Sequence, residues 1–95
     1  MTEPGKRDKK EGCAEILEVN TFRMCEVEFS NDMARVEARE KAELESLFAN
    51  GCTSPCVLKV TVTAAVDKEA KACRRMSGHF GKWVDVEYRV ECVDP

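Results

Sequence analysis

The sequence predicts a small α+β domain in which one main amphipathic helix packs on a single-layer sheet, with elements in the order β(β)αβ(α)β. Two patterns predict this fold class. Apolar side chains recur at helical spacing between residues 32 and 50, whereas residues 56–64 and 82–93 alternate apolar and polar side chains as strands do. A chain of 95 residues is long enough for one domain with a modest core and too short for two.

The N-terminal segment differs in composition from the rest of the chain. Residues 1–12, MTEPGKRDKKEG, are mostly charged and no apolar stretch follows them, which predicts a disordered tail ahead of a single domain over residues 13–95. The segment does not resemble a secretory signal, and no apolar run approaches the roughly 20 residues of a membrane helix. We therefore expect a cytoplasmic protein without a membrane partner.

Residues 14–29, AEILEVNTFRMCEVEF, precede the main helix and favour extended structure. They form either two short strands with a turn at Asn20-Thr21 or one bent strand. The turn has little support, because Asn-Thr lacks the glycine that tight hairpin turns prefer.

Residues 30–51 contain the strongest predicted element, a helix. Ser30, Asn31 or Asp32 can cap its start, and Asn50-Gly51 can end it in a left-handed conformation. Its predicted packing stripe consists of Met33, Val36, Leu44 and Leu47, with Phe48 at the edge. Two favourable four-apart ion pairs are expected on its exposed flanks, Glu37–Lys41 and Arg39–Glu43.

Glu40 lies in the middle of this apolar stripe. A carboxylate buried there without a partner would cost several kcal/mol. We expect Glu40 either to reach solvent or pair with Lys59 or Arg89, or to make a polar contact in a subunit interface or a pocket. The second possibility makes Glu40 the candidate interface residue.

Three elements are predicted after the main helix. Residues 56–64 form a half-buried, β-branched strand, and residues 67–78 form a short helix capped by Asp67 and ended by Gly78. Residues 82–93 form the clearest strand, with one face packed and the other facing water or a partner.

Six cysteines would allow fifteen disulfide pairings. We nevertheless expect reduced thiols, because the chain can bury enough apolar surface without cross-links and some cysteines fall in phase with the core. In this interpretation three are small core residues, namely Cys25, Cys73 and Cys92. The other three lie near surface turns, namely Cys13, Cys52 and Cys56.

The segment GCTSPC, residues 51–56, raises two further possibilities for cysteine chemistry. A redox pair usually has two residues between its cysteines at a helix start, whereas here three residues separate Cys52 from Cys56 and a strand follows. A zinc site could use Cys52, Cys56, Cys73 and His79, spaced C-x₃-C-x₁₆-C-x₅-H. If this site forms, zinc is a cofactor of the protein; otherwise we expect no cofactor.

Residues 68–83 combine cations with aromatic rings. The candidate binding residues are Lys71, Arg74, Arg75, His79, Phe80, Lys82 and Trp83. Cations bind phosphates and rings stack on bases, so this segment could bind nucleic acid. In the simpler interpretation Trp83 and Phe80 pack against the domain and the cations are a solvated surface.

The charge distribution and the lack of a recognisable catalytic motif limit the functions that the sequence suggests. Residues 13–50 contain nine acidic and four cationic side chains, and residues 51–83 contain two and six, within a net charge of −3. No nucleophile–base pair or phosphate-binding loop is recognisable, so we do not expect an enzyme. The leading hypothesis is a non-catalytic protein-interaction or assembly module that docks on a protein partner or self-associates. Nucleic-acid binding and a zinc-stabilised domain are the alternatives.

Overall fold

The computed structural model describes residues 12–73, 75–76 and 78–95, with the backbone alone at 75 and 76. Its elements are β1 (Glu15–Glu26), α1 (Met33–Leu47), β2 (Val57–Val66), β3 (Arg75–Met76), β4 (His79–Phe80) and β5 (Lys82–Val93). The three long strands form an antiparallel sheet in the order β1-β5-β2, and α1 packs on one face of it. The predicted fold class is confirmed. Residues 1–11 of the predicted tail lie outside the described residues.

β1 is one continuous strand of twelve residues. Its pairing with β5 shifts between Ile16 and Glu18, and the Asn20 side chain accepts a hydrogen bond from the Thr21 N–H at 2.8 Å instead of forming a turn. Of the two interpretations of this segment, the bent strand is therefore correct.

The core lies between α1 and the sheet and consists of small side chains. The buried apolar residues are Val36, Val60, Ala64, Val84, Val86, Val90 and Cys92. Those on β2 and β5 alternate with exposed residues, as the sequence pattern predicts. Burial of a valine contributes about 1.5–3 kcal/mol, and no larger aliphatic or aromatic side chain among the described residues is fully buried.

α1 buries its predicted stripe only in part. Asp32 caps the helix by accepting a hydrogen bond from the Arg35 N–H, and Val36 is completely buried. Leu47, in contrast, is 75% exposed. The loop after the helix lies close to β1, because a Cβ on Gly51 would be only 2.8 Å from Leu17. Glycine is therefore needed at position 51 for this close approach, and not to end the helix in a left-handed conformation. No helix in the described part of the chain is long and apolar enough to cross a membrane.

The short helix predicted for residues 67–78 is absent from the part of this range that the structure describes, residues 67–73, 75, 76 and 78. The Asp67 side chain accepts a hydrogen bond from the Glu69 N–H, which closes a local turn. Cys73 is then held by a disulfide and by a hydrogen bond from its N–H to the Gly81 carbonyl. These tertiary contacts extend the chain where a helix would need it coiled.

The prediction of reduced cysteines is wrong, because all six form disulfides: Cys13–Cys56, Cys25–Cys73 and Cys52–Cys92. Cys52 and Cys56 do not bond to each other across their turn. They anchor the loop before β2 to the end of β5 and to the segment before β1. The physical reason is the size of the core: a few valines bury little surface, and covalent cross-links compensate in small domains.

Candidate functional site

The four candidate zinc ligands do not form a metal site. Cys52, Cys56 and Cys73 belong to three different disulfides, and a disulfide sulfur has lost the thiolate that zinc requires. His79, the fourth candidate, is exposed on β4. Within residues 12–73 and 78–95, no group of three or more His, Cys, Asp or Glu side chains could hold a metal ion.

Lys82 and Trp83, predicted to belong to one binding surface, lie on opposite faces of β5 because successive strand residues alternate. The Lys82 ammonium donates to Asn31 Oδ1 at 2.5 Å, next to the start of α1. The ring of Trp83 lies 5.9 Å from the Arg23 guanidinium on the far face. The two side chains therefore do not share one face of the sheet.

Three other members of the basic and aromatic set, Arg75, His79 and Phe80, belong to the β3–β4 hairpin. Arg74 falls outside the described residues, and Arg75 is described by its backbone alone. His79 and Phe80 are exposed and line a cleft of about 660 Å³ beside the start of α1.

A second cleft, of about 270 Å³, gathers part of the predicted basic segment. Lys68, Lys71 and Lys82 line it together with Phe80. Asp67 is part of the same lining, so the charge of this cleft is mixed.

Glu40, the candidate interface residue, is mostly buried and pairs within the helix. Its carboxylate accepts hydrogen bonds from Arg39 Nε and Nη2 at 3.3 and 3.2 Å, and its side chain is 15% exposed. Glu40 does not pair with Lys59 or Arg89 as predicted. Both residues are exposed and alternate along their strands with the residues that pack under α1. A role for Glu40 in an interface stays a prediction.

The Arg39 guanidinium also binds Glu26, an interaction that sequence reasoning missed. Glu26 is only 3% exposed and also accepts a hydrogen bond from the Phe29 N–H at 2.9 Å. The hydrogen bond from Arg39 lowers the pKa of the Glu26 carboxyl. A signal existed, because Glu26 follows Met24 in strand alternation and therefore lies on the face that packs.

The face of the sheet opposite α1 is uncovered in the described structure and carries ion pairs. Arg23 binds Asp67 at 2.7 Å and Asp85 at 2.8 Å, and its hydrogen bonds lower the pKa of both carboxyls. Three exposed apolar side chains lie among these charges: Ile16, Val19 and Val57. This interleaving is typical of the solvated face of an antiparallel sheet.

The outer edge of β2 is open over a defined stretch. The Asp67 N–H donates to the Trp83 carbonyl on the β5 side, whereas the Ala64 N–H donates to Glu37 Oε2 of α1 at 2.8 Å. Because antiparallel strands direct alternate residues to alternate neighbours, the even-numbered residues of β2 point their N–H and C=O groups outward. In the described part of the chain these groups have no partner at Leu58, Val60 and Val62.

A groove of about 550 Å³ runs along this open edge, between β2 and α1. Residues 58–62 form its floor, and α1 contributes the wall with Ala34, Glu37, Ala38, Lys41 and Glu45. Two small alanines leave room beside the strand, and the three charged residues alternate in sign along the helix.

The opposite edge of the sheet, on β1, is better protected. Asn20 already accepts a hydrogen bond from the outward Thr21 N–H. β1 also contains four charged residues among its twelve, whereas Lys59 is the sole charge among the ten of β2. Charges on an edge strand oppose strand addition, so β2 is the edge that can accept a partner.

The sequence does not predict this groove, because it depends on which strand ends up at the edge and on where α1 lies above it. The β-branched, weakly charged run of residues 57–66 was the available signal. Comparison with protein-family models, curated proteins and solved structures finds no match for this chain.

Proposed function

We propose that this chain is a small, non-catalytic protein-interaction module that binds an extended segment of its partner as an added strand on the edge of β2. The observation that carries the proposal is the row of outward backbone groups at Leu58, Val60 and Val62 beside the groove along α1. In such binding the backbone hydrogen bonds supply affinity, and the adjoining groove selects side chains.

The wall of the groove supports selectivity for the added segment. Ala34 and Ala38 admit apolar side chains from alternate positions of a strand, because neither fills the space above β2. Glu37, Lys41 and Glu45 present charges of alternating sign to the same segment, which favours a partner with complementary charges.

The test is an NMR titration of the disulfide-intact, ¹⁵N-labelled chain with a panel of ten-residue peptides of alternating apolar and polar residues. The panel includes the sequence of residues 57–66. We expect the amide signals of Leu58, Val60 and Val62 to shift, because their N–H groups acquire acceptors, while inward amides such as that of Thr63 change less. If no peptide of the panel shifts these signals at millimolar concentration, the proposal is wrong.

A matched pair of helix variants separates the groove from the rest of the surface. Ala38→Gln places a longer side chain in the groove, whereas Ala42→Gln makes the same change at an exposed helix position outside it. Both cost little helix stability, since glutamine is a good helix former. Peptide affinity should fall at least about tenfold in the first variant only, the equivalent of ~1.4 kcal/mol.

The disulfides support an oxidising compartment as the place where the protein acts, in place of the cytoplasm that the sequence suggested. Such cross-links persist outside reducing compartments. Alkylation of unreduced protein from its native source should label none of the six cysteines. Labelling of all six in that protein would contradict this part of the proposal.

Nucleic-acid binding remains a second candidate because Lys68, Lys71 and Lys82 line one cleft with Phe80. Replacing both Lys68 and Lys71 by Ala should weaken binding of single-stranded RNA at low salt, since each lysine would neutralise a phosphate. The absence of binding to RNA or DNA at low salt would exclude this function.

A further inference from the structure

We infer that the strand added to the edge of β2 is β2 of a second copy of this chain, paired antiparallel with Val60 on the two-fold axis. This inference rests on the proposed strand addition and names its partner. The product is a continuous six-stranded sheet with both copies of α1 on the same face. An antiparallel strand pair satisfies two-fold symmetry, because each copy presents the same edge to the other.

The register follows from the hydrogen bonds that the edge still has available. With Val60 on the axis, Leu58 of one copy lies opposite Val62 of the other. Three residue pairs then exchange about six backbone hydrogen bonds, since each such pair exchanges two. The pairing ends before Ala64, whose N–H already donates to Glu37.

The two neighbouring registers are worse for identifiable reasons. An axis through Lys59 would place the two Lys59 side chains opposite each other, and like charges in that position are destabilising. An axis through Thr61 would place Leu58 opposite Ala64 of the second copy and would require the Glu37 hydrogen bond to break. The register centred on Val60 avoids both costs and places Lys59 opposite the neutral Thr61.

The helices support the same arrangement. The two-fold axis runs the two copies of α1 antiparallel, with their groove walls facing each other across the new strand pair. Because Ala34 and Ala38 have small side chains, they leave room for the two helices to approach each other. Glu37 and Lys41 lie one helical turn apart with opposite charges, so the wall is complementary to its own antiparallel copy.

The experiment measures the dimer dissociation constant of the disulfide-intact chain by sedimentation equilibrium. Thr61→Lys should weaken the dimer about tenfold, because it creates two Lys–Lys contacts across the axis. Adding Lys59→Glu to that variant should restore the affinity, because both contacts then become ion pairs. The control Thr63→Lys should leave the dissociation constant unchanged, since residue 63 faces Val57 of the second copy.

Each outcome decides the inference. A dimer that responds to Thr61→Lys and is restored by the double substitution supports it. A dimer indifferent to these changes overturns the Val60-centred pairing. A chain that stays monomeric while its Leu58–Val62 amides still respond to peptides overturns self-pairing and leaves strand addition standing. A monomer whose amides respond to no peptide overturns both.

Discussion

Replacing Arg39 by Met should destabilise the fold far more than the same change at Arg35. Both guanidinium groups lie over the ring of Phe29, at 5.8 Å for Arg39 and 5.5 Å for Arg35. Only Arg39 also binds Glu26, whose side chain is 3% exposed. Arg35 instead pairs with Asp32 at 3.5 Å on the surface. The two variants therefore share the loss of the cation–π contact, whereas only Arg39→Met removes the hydrogen-bond partner of Glu26 and of Glu40.

The size of the stability loss in Arg39→Met follows from the burial of Glu26. Without Arg39, the Glu26 carboxylate keeps the Phe29 N–H as a hydrogen-bond donor and loses its counter-ion, a change that typically costs about 3–5 kcal/mol. Loss of the exposed pair of Arg35 and of its ring contact costs about 0.5–1.5 kcal/mol. Since domains of this kind are stable by about 5–15 kcal/mol, the difference is large enough to measure.

The assay is urea unfolding of the disulfide-intact variants at neutral and acidic pH, followed by the fluorescence of Trp83, the single tryptophan. In the folded protein the pKa of Glu26 is lowered, chiefly by its hydrogen bond from Arg39. The stability this pair provides is thus complete above the ordinary glutamate pKa of about 4.3 and is lost as the pH falls through the lower, folded pKa. The gap between Arg39→Met and Arg35→Met should therefore narrow in acid. Equal unfolding free energies for the two variants at neutral pH, or a gap that acid leaves unchanged, would refute the reasoning.

Four further predictions concern the cross-links, the single tyrosine and one glycine. Replacing Cys52 and Cys92 together by Ala should lower the free energy of unfolding by about 4 kcal/mol, because the disulfide closes a loop of 40 residues; a loss under about 1 kcal/mol in urea would contradict this. A zinc chelator should leave thermal unfolding unchanged, whereas unfolding on chelation would contradict the disulfide assignment. The pKa of Tyr88 is raised by its 2.6 Å hydrogen bond to Glu18, so phenolate absorbance should appear at lower pH in Glu18→Gln, and an unshifted titration would argue against this bond. Its stabilising contribution is complete below the ordinary tyrosine pKa of about 10 and disappears as the pH rises through the folded value. Gly81→Ala should cost about 1–3 kcal/mol in thermal or urea unfolding, because its Cβ would lie 2.8 Å from a disulfide sulfur; a neutral result would show that the loop can move aside.

The cysteines show where sequence reasoning failed. Their spacing allows fifteen pairings, and the core that the sequence predicts gives no reason to require cross-links. The partners in each disulfide are separated by 40 to 48 residues, so their proximity depends on strand register and on the paths of the loops. No local pattern carries that information.

The charged residues of α1 show the same limit. Local spacing predicts Glu37–Lys41 and Arg39–Glu43 pairs, each worth about 0.3–0.5 kcal/mol on an exposed helix. In the fold Glu37 instead accepts the Ala64 N–H, and Arg39 binds Glu26. Leaving the partly buried Ala64 N–H or the buried Glu26 carboxylate unpaired would cost more free energy than an exposed ion pair contributes. Glu37 and Arg39 therefore make these tertiary contacts instead of the local ion pairs.

Periodicity alone was enough to predict the helix, the packed faces of two strands, and the strands themselves at 56–64 and 82–93, which the structure has at Val57–Val66 and Lys82–Val93. The spacing of apolar side chains sufficed because it depends only on local backbone geometry. It could not predict that β5 lies at the centre and leaves β1 and β2 as edges. Nor could it place α1 beside β2 to form the groove. Those features depend on long-range pairing, in which residues distant in the chain compete for the same hydrogen bonds and the same buried space.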